Sequence, residues 1–420
     1  MQTIDISIDH IDKIFHIADV HVRNVNRHKE YSEVFKRLYT YIKKNKTSNS
    51  VIYVAGDVVH AKTDMSPELV HMVSNFFKSL SDIAPTILIT GNHDCNLNNA
   101  NRLDALSPIV RALNHPNLHY LKDTGIYELG GVHFNVMSVF DKPVDFIKAS
   151  DFEGKIKIAL HHGAVNSATT DLGITLSNTH VTTDLFAGHD LVLLGDIHKT
   201  QFLDDKNRIA YAGSLIQQNH GEGLTHGIFE WNLSDFSSKF IEIENTYGYY
   251  TFEVDNGQIL NPSDKVPKKP RVRIKVKDTD SADLKRIISE IRTQYKVQEI
   301  AIHKIHSLNS GPSQQKVGFG NIRDVEWQNK IITEYLENEQ GLDDQMLDVV
   351  RHINRTVHSK LPESEMTRNV IWSPKRFEFS NMFSYGEDND IDFANVNGVN
   401  GLFAPNASGK STLLDAMAFC

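Results

Sequence analysis

Five short stretches in the first half of the chain carry carboxylate, amide and imidazole groups at close spacing. They are Asp19-Val20-His21, Gly56-Asp57-Val58-Val59-His60, Gly91-Asn92-His93-Asp94, His161-His162-Gly163 and Gly195-Asp196-Ile197-His198. Oxygen and imidazole donors together suit Mn2+, Zn2+ or Fe2+ better than Ca2+. A pair of such ions about 3.5–4 Å apart needs one bridging carboxylate with further ligands on each side, and it serves displacement at phosphorus. Asp57 is the bridge candidate. Asp19 and His21, two residues apart at a strand end, converge on one ion. Asn92 gives a neutral oxygen to the other, and His161 and His198 complete the set. His93 is placed to donate to a phosphate oxygen or to protonate a leaving oxygen. Asp94 would accept from its other ring nitrogen and fix its orientation. His60 reads as a loop cap or a group behind the ligands. One Asp-x-His is usually structural; the ordered set of five points to hydrolysis of a phosphate ester.

Each stretch follows a short apolar run. Residues 13–20, 51–55, 86–89, 156–160 and 190–194 read as buried strands. Helical patterns lie between them. Tyr31, Val34, Phe35, Leu38, Tyr39 and Ile42 share one helical face, and Ser66-Pro67 reads as an N-cap followed by proline at the first helical position. Strands alternating with helices predict an α/β fold. The motifs then sit at carboxyl ends of strands, where such sheets gather ligand-binding groups.

The chain has 420 residues, 40% of them hydrophobic, which allows about two to four domains. No run of 18 apolar residues is present, so no membrane helix is expected. The polar N-terminus does not read as a signal peptide. Two cysteines, Cys95 and Cys420, cannot build a disulfide framework. A soluble, intracellular protein, in cytoplasm, nucleoid or nucleus, is the expectation. The net charge of -9 does not advertise a nucleic-acid binder. One cluster runs against it: Lys265 to Lys277 holds seven Lys or Arg and no acid. Within it Arg271, Arg273, Lys275 and Lys277 alternate with Val272, Ile274 and Val276, so the four bases share one face of a strand. That face could bind DNA phosphates; the alternative is an ordinary solvated face.

A helix over 281–294 and a strand over 298–305 complete a small β-α-β unit, and 308–321 reads as a linker. Two helices follow, at roughly 324–338 and 342–360. The second spaces Leu342, Met346, Val349, Val350, Ile353, Val357 and Leu361 helically. Strands are expected near 370–380, 388–393 and 398–403. Residues 404–412, Ala-Pro-Asn-Ala-Ser-Gly-Lys-Ser-Thr, then fit a phosphate-binding loop with Ala404 at the first glycine position. Asn406, Gly409, Lys410, Ser411 and Thr412 are the candidate ATP and Mg2+ contacts, with loop N–H groups cradling phosphates.

The five motifs resemble those of calcineurin-like metallophosphoesterases. The longer stretches GDVVHAKTDMSPE and GNHDCNLNNANRLDALSPI resemble the SbcD-type (meiotic recombination eleven-like) nuclease of DNA double-strand-break repair, over about residues 13–310. The resemblance implies a β-sandwich flanked by helices, with a β-α-β cap. It implies one metal on Asp19, His21, Asp57 and His198, a second on Asp57, Asn92, His161 and Asp196, and His93 as the catalytic histidine. Of the adjacent pair, His161 leaves the strand first and fits that pattern better. The family's last motif usually reads Gly-His-x-His, so Asp196 is a departure that alters the charge of the site. Residues 370–420 resemble the start of an SbcC-type ATPase of the structural-maintenance-of-chromosomes class, that nuclease's partner. Walker B and signature motifs are absent, so a piece of a nuclease–ATPase fusion is expected, with ATP and Mg2+ bound only if the rest is present.

The resulting expectation has four parts: a nuclease domain at 1–245, a DNA-capping unit at 246–310, an ATPase-docking helical segment at 320–362 and an ATPase fragment at 370–420. The activity is a nuclease acting on double-stranded DNA ends with two Mn2+ or other divalent ions, in a homodimer coupled to its ATPase. The alternatives are a metallophosphoesterase acting on small phosphodiesters or phosphoproteins, and a non-catalytic scaffold that binds DNA ends.

Overall fold

The computed structural model describes residues 2–4, 8–97, 99, 101–177 and 179–304. Further on it describes 325, 328–329, 333, 344–358, 375–382, 385–393, 412–413 and 416–417. The chain divides into two units, residues 1–308 and 309–420.

The apolar runs of the first unit form two sheets. One has six strands in the order Ser237–Glu242, Gly227–Asn232, Lys13–Ile17, Ser50–Val54, Thr86–Leu88, Leu118–Tyr120. From Lys13 to Tyr120 its neighbours run parallel. The other has seven, with Val132–Met137, Ile156–His162, Leu191–Gly195 and Ile209–Tyr211 as its parallel centre. Strand alternation sorts each run between two faces. Ile14, Val51, Tyr53 and Ile87 from one sheet meet Phe134, Ile158, Leu160 and Leu193 from the other in the central layer. The opposite parity, Phe15, Ile17, Ile52 and Val54, packs under helices His28–Asn45 and Pro67–Ser81 through Leu38, Phe76, Phe77 and Leu80. Ser66 caps the second helix by accepting from the Leu69 N–H, with Pro67 at its start, as the sequence predicts.

The sandwich is therefore flanked by these two long helices on one side. The outer face of the seven-stranded sheet, Ala159, Val192 and Leu194, is covered by Phe146, Val165 and Phe186 from loops and short 3-10 turns.

Beyond Glu242 a separate four-stranded sheet follows, in the order Gln258–Ile259, Tyr247–Asp255, Lys269–Lys277, Glu299–Lys304. The last three strands are parallel. Helix Ser281–Gln294 covers one face, burying Ile287 and Ile291 against Val272, Ile274 and Val276. Asp280 caps it by accepting from the Asp283 N–H. The basic strand is thus an interior strand of its sheet.

In the second unit the described residues include helix Asp344–His358 and an antiparallel pair, Arg376–Phe379 with Asn389–Asp392. The pair is stapled by two 2.9 Å bonds from Arg376 to Asp390. The strand expected at 398–403 and most of the helix expected at 324–338 lie outside the described residues. So do Asn406, Gly409, Lys410 and Ser411. Thr412 lies in a helical stretch.

Candidate metal centre

The parallel strands of the two sheets end at a common edge, and the loops leaving them carry the motifs. His21 N–H donates to the Asp57 carbonyl (2.9 Å) and Val22 N–H to that of Val58 (2.8 Å), so the first two loops run side by side. Asp19, His21, Asp57 and Asp196 all hold left-handed backbone, with φ of 49°, 48°, 50° and 99°. Such conformations cost on the order of 1–3 kcal/mol each away from glycine and gather at functional sites. Gly91 is required by its surroundings: a Cβ there would lie 2.1 Å from Asp57 Oδ1 and 2.2 Å from Asp57 N.

The donor atoms converge. Asp57 turns Oδ2 to His21 Nε2 (3.5 Å) and Oδ1 to His162 Nε2 (3.4 Å), one oxygen to each side. His21 Nε2 lies 3.0 Å from His198 Nε2 and 4.0 Å from Asp19 Oδ1. Asp196 Oδ1 lies 3.8 Å from His162 Nε2, while its N–H donates to both Asp19 oxygens at 3.1 Å. Asp19, His21 and His198, and again Asp19, Asp57 and His162, form triads whose ligand atoms lie within 4.8 Å of one another.

The residues present fit a metal pair. His162 Nδ1–H donates to the Ala55 carbonyl (2.6 Å) and His198 Nδ1–H to Glu222 (2.8 Å). In both rings Nδ1 is thereby occupied, and Nε2 is the nitrogen that faces the centre and could bind a cation in place of a proton. The Asn92 side-chain amide stands 3.1 Å from His162 Nε2 and from both Asp57 oxygens, at the middle of the cluster. Burial pushes the Asp19 carboxyl up to about 7, and it also raises Asp196. Burial alone would raise Asp57 too, but His162, through its charge and hydrogen bond, holds that carboxyl low. Burial opposes charge on His198, yet the Glu222 hydrogen bond and the Asp19 charge raise it to about 9. Asp19 and Asp196, which resist ionising beside the charged Asp57, are the kind of carboxyls that a bound cation relieves.

Two expectations are corrected. The strand runs through His162, and its two-residue period sends His162 inward with Ile158 and Leu160. His161 goes to the outer face, where its Nδ1–H donates to the Met137 carbonyl (2.8 Å) and its ring packs on Phe146 and Phe186. The order of leaving the strand is the wrong criterion; parity decides. Asp94 does not touch the His93 ring. Its oxygens accept from the N–H groups of Val59 and Gly91, both at 3.0 Å, which ties the second motif to the third. The His93 Nδ1–H donates to the carbonyl of His60 instead (2.7 Å), and the His60 and His93 rings stack at 5.7 Å. His93 N–H donates to Asp57 Oδ1 (2.8 Å).

Glu222 escapes sequence reasoning altogether. It lies in no motif, and no spacing rule links it to His198.

The basic strand is only partly free. Arg271 is 8% exposed, with Nη1 2.8 Å from Glu30 Oε2. Glu30 also binds Arg27 through both oxygens (2.8 and 2.9 Å) and accepts from Asn245 (2.8 Å). Tyr247 and Tyr249 stand under the Arg271 guanidinium. Lys277 pairs with Asp255 at 3.1 Å. Among the described residues, Arg273 and Lys275 have no carboxylate at ion-pair distance.

Residues 12–200 match the family of calcineurin-like phosphoesterases, and residues 376–420 match an AAA domain family. The first unit therefore contains a calcineurin-like metallophosphoesterase domain, a class that implies divalent-metal binding and phosphoester hydrolysis. The chain is 40% identical over 444 aligned residues to an uncharacterized protein of Acanthamoeba polyphaga mimivirus. That match covers 99% of this chain and 32% of the mimivirus protein, so the chain spans about a third of that relative. It is 24% identical to a subunit of the nuclease SbcCD from Staphylococcus epidermidis, over 65% of this chain and 74% of that one. A solved structure, Pseudomonas putida nuclease MPE, aligns with a TM-score of 0.20 at 18% identity, covering 34% of this chain and 57% of that chain. No helix among the described residues is long and apolar enough to cross a membrane.

Proposed function

We propose that this chain is the nuclease part of a Mn2+-dependent DNA end-processing machine that works with an SbcC-type ATPase, in cis or in trans. The observation that carries the proposal is the set of lone pairs and carboxylate oxygens around Asp57, with a ring-pinned histidine beside it. Bound there, two divalent ions would act as Lewis acids on the phosphate and lower the pKa of the attacking water. Asp19, His21, Asp57 and His198 would hold one; Asp57, Asn92, His162 and Asp196 the other. His93 keeps Nδ1–H on the His60 carbonyl. Its Nε2 is thereby free to hold a proton for a phosphate oxygen or for the departing 3′ or 5′ oxygen. Asp94 keeps the His93 loop against the Asp57 loop.

The similarity to an SbcCD nuclease component and the AAA match at residues 376–420 support DNA as substrate and the ATPase as partner. On this reading residues 1–245 are the nuclease and 246–310 a cap that contacts DNA through Arg273 and Lys275. Residues 320–362 dock the ATPase, and 370–420 begin its domain, where Asn406, Gly409, Lys410, Ser411 and Thr412 would hold ATP and Mg2+. Helix Asp344–His358 supports the docking role, because Met346, Val349, Ile353 and Val357 line one side of it, each more than half exposed. A homodimer acting inside the cell completes the reading.

The test is hydrolysis of linear duplex DNA and of a small chromogenic diester by the purified chain with Mn2+. The proposal expects cleavage of the DNA and its loss in Asp57→Ala and His93→Ala. Activity on the diester alone overturns the nuclease assignment, and unchanged activity in both variants overturns the site.

A further inference from the structure

The acid that orients His198 sits in a turn whose other end is bonded to the four-stranded sheet. Glu222 Oε1 accepts from His198 Nδ1 at 2.8 Å. A carboxylate can only accept, so this bond keeps the proton on His198 Nδ1 and makes Nε2, which faces His21, the nitrogen available to a metal. Glu222 is itself held: Oε2 accepts from Gln218 N–H at 2.6 Å and Oε1 from Asn219 Nδ2 at 2.7 Å, and its side chain is 4% exposed. Its carbonyl accepts from Gln217 Nε2 at 2.9 Å. The same Gln217 amide meets the backbone of Tyr249 twice, Nε2 donating to the carbonyl (3.2 Å) and Oε1 accepting from the N–H (2.6 Å). Gln217 thus pairs with strand Tyr247–Asp255 as a neighbouring backbone would. The path His198, Glu222, Gln217, Tyr249 has a hydrogen bond at every step.

We infer that Glu222 is a positioning residue for the His198 metal ligand, and that Gln217 makes its placement depend on the four-stranded sheet. The strength with which the centre holds metal is then set in part from a sheet that supplies none of the candidate ligands. This inference rests on the metallophosphoesterase reading of the centre.

The experiment is titration of the full chain with Mn2+, followed by the electron-spin-resonance signal of the free ion, alongside thermal melting. Glu222→Gln keeps the size but not the charge, and it turns an NH2 toward either His198 or the Gln218 N–H. It is expected to weaken one site by about 10–100-fold while melting close to the parent. Glu222→Asp, which keeps the charge, is expected to recover part of the loss. Gln217→Ala leaves the Glu222 side chain untouched and is expected to weaken the same site several-fold. A purely structural residue would lower the melting temperature and leave Mn2+ affinity alone; that result overturns the inference. Parent-like affinity in Gln217→Ala overturns the link to the sheet. If Glu222→Gln does not fold, Asn219→Ala removes one hydrogen bond to Glu222 and must weaken Mn2+ binding for the inference to stand. A parent chain that binds no Mn2+, Zn2+ or Fe2+ overturns the metal reading and the inference together, a result distinct from any variant effect.

Discussion

Replacing Arg271 by alanine separates a scaffold role from a DNA-binding role. In the structure its guanidinium is spent on Glu30, a fully buried carboxylate that also binds Arg27 and Asn245. Removing one member of a buried ion pair typically costs about 3–5 kcal/mol, because a charge is left uncompensated. Here Arg27 remains, so the carboxylate keeps one full partner and the expected cost falls to about 2–3 kcal/mol. The loss of contact with the Tyr247 and Tyr249 rings lies within that figure. For a unit of this size, with an unfolding entropy of about 2.1 cal/mol/K per residue, the change corresponds to a melting temperature lowered by about 3–5 °C. Lys275→Ala, on the same strand but without an acidic partner among the described residues, is expected to stay within about 0.5 kcal/mol of the parent. It should instead lower the salt dependence of binding to linear duplex DNA by about 0.9 per lost phosphate contact. Urea unfolding and salt-titrated DNA binding measure both quantities. An Arg271→Ala protein that is as stable as the parent but binds DNA more weakly would refute this assignment.

Four further outcomes follow from the site. His93→Ala should lower hydrolysis by about 10²–10⁴-fold with Mn2+ affinity retained in the same titration, since its ring is outside the proposed ligand set. His162→Ala should lose metal affinity while His161→Phe keeps it, because only His162 faces Asp57; the reverse result would restore the sequence-based choice. Gly91→Ala should be destabilised by about 1–3 kcal/mol and bind metal poorly, as the new methyl group collides with Asp57; parent-like metal affinity by isothermal titration would refute this. His16, buried between the sheets with Nε2 donating to the Leu194 carbonyl, is held down to about 3 by burial. Its contribution is complete above the ordinary value of 6.5 and is lost as pH falls from there towards 3. His16→Gln should flatten that stretch of the stability–pH curve measured by urea unfolding, and an unchanged curve would show that acid sensitivity lies elsewhere.

What could be read from the sequence follows from the range of each interaction. Apolar runs of four or five residues mark strands locally, and each motif is local to its run, so Asp19, Asp57, Asn92 and His198 were legible by position alone. Ser66-Pro67 announces a helix start by short-range capping chemistry. The choice between His161 and His162 failed because it turns on which strand face meets the second sheet, and that depends on where the strand ends. Arg271 was legible as basic but not as paired, since Glu30 lies in a different element far along the chain. Asp94 was assigned to its sequence neighbour when its hydrogen bonds reach Val59. Glu222 carries no local mark; only the folded turn brings it to His198.

The wide separation of the ligands has a consequence for how the protein is made. Asp19 meets Asp196, and His21 meets His198, across 177 residues of chain. At about 5–20 residues per second on a ribosome, Asp19 and His21 are made about 10–35 s before Asp196 and His198. During that interval the set of Asp19, His21 and His198 lacks its third member. A metal pair held by this set would therefore be captured late in the life of the nascent chain, and translation cut short before residue 196 would yield a product without Asp196 and His198, two of the seven candidate ligands.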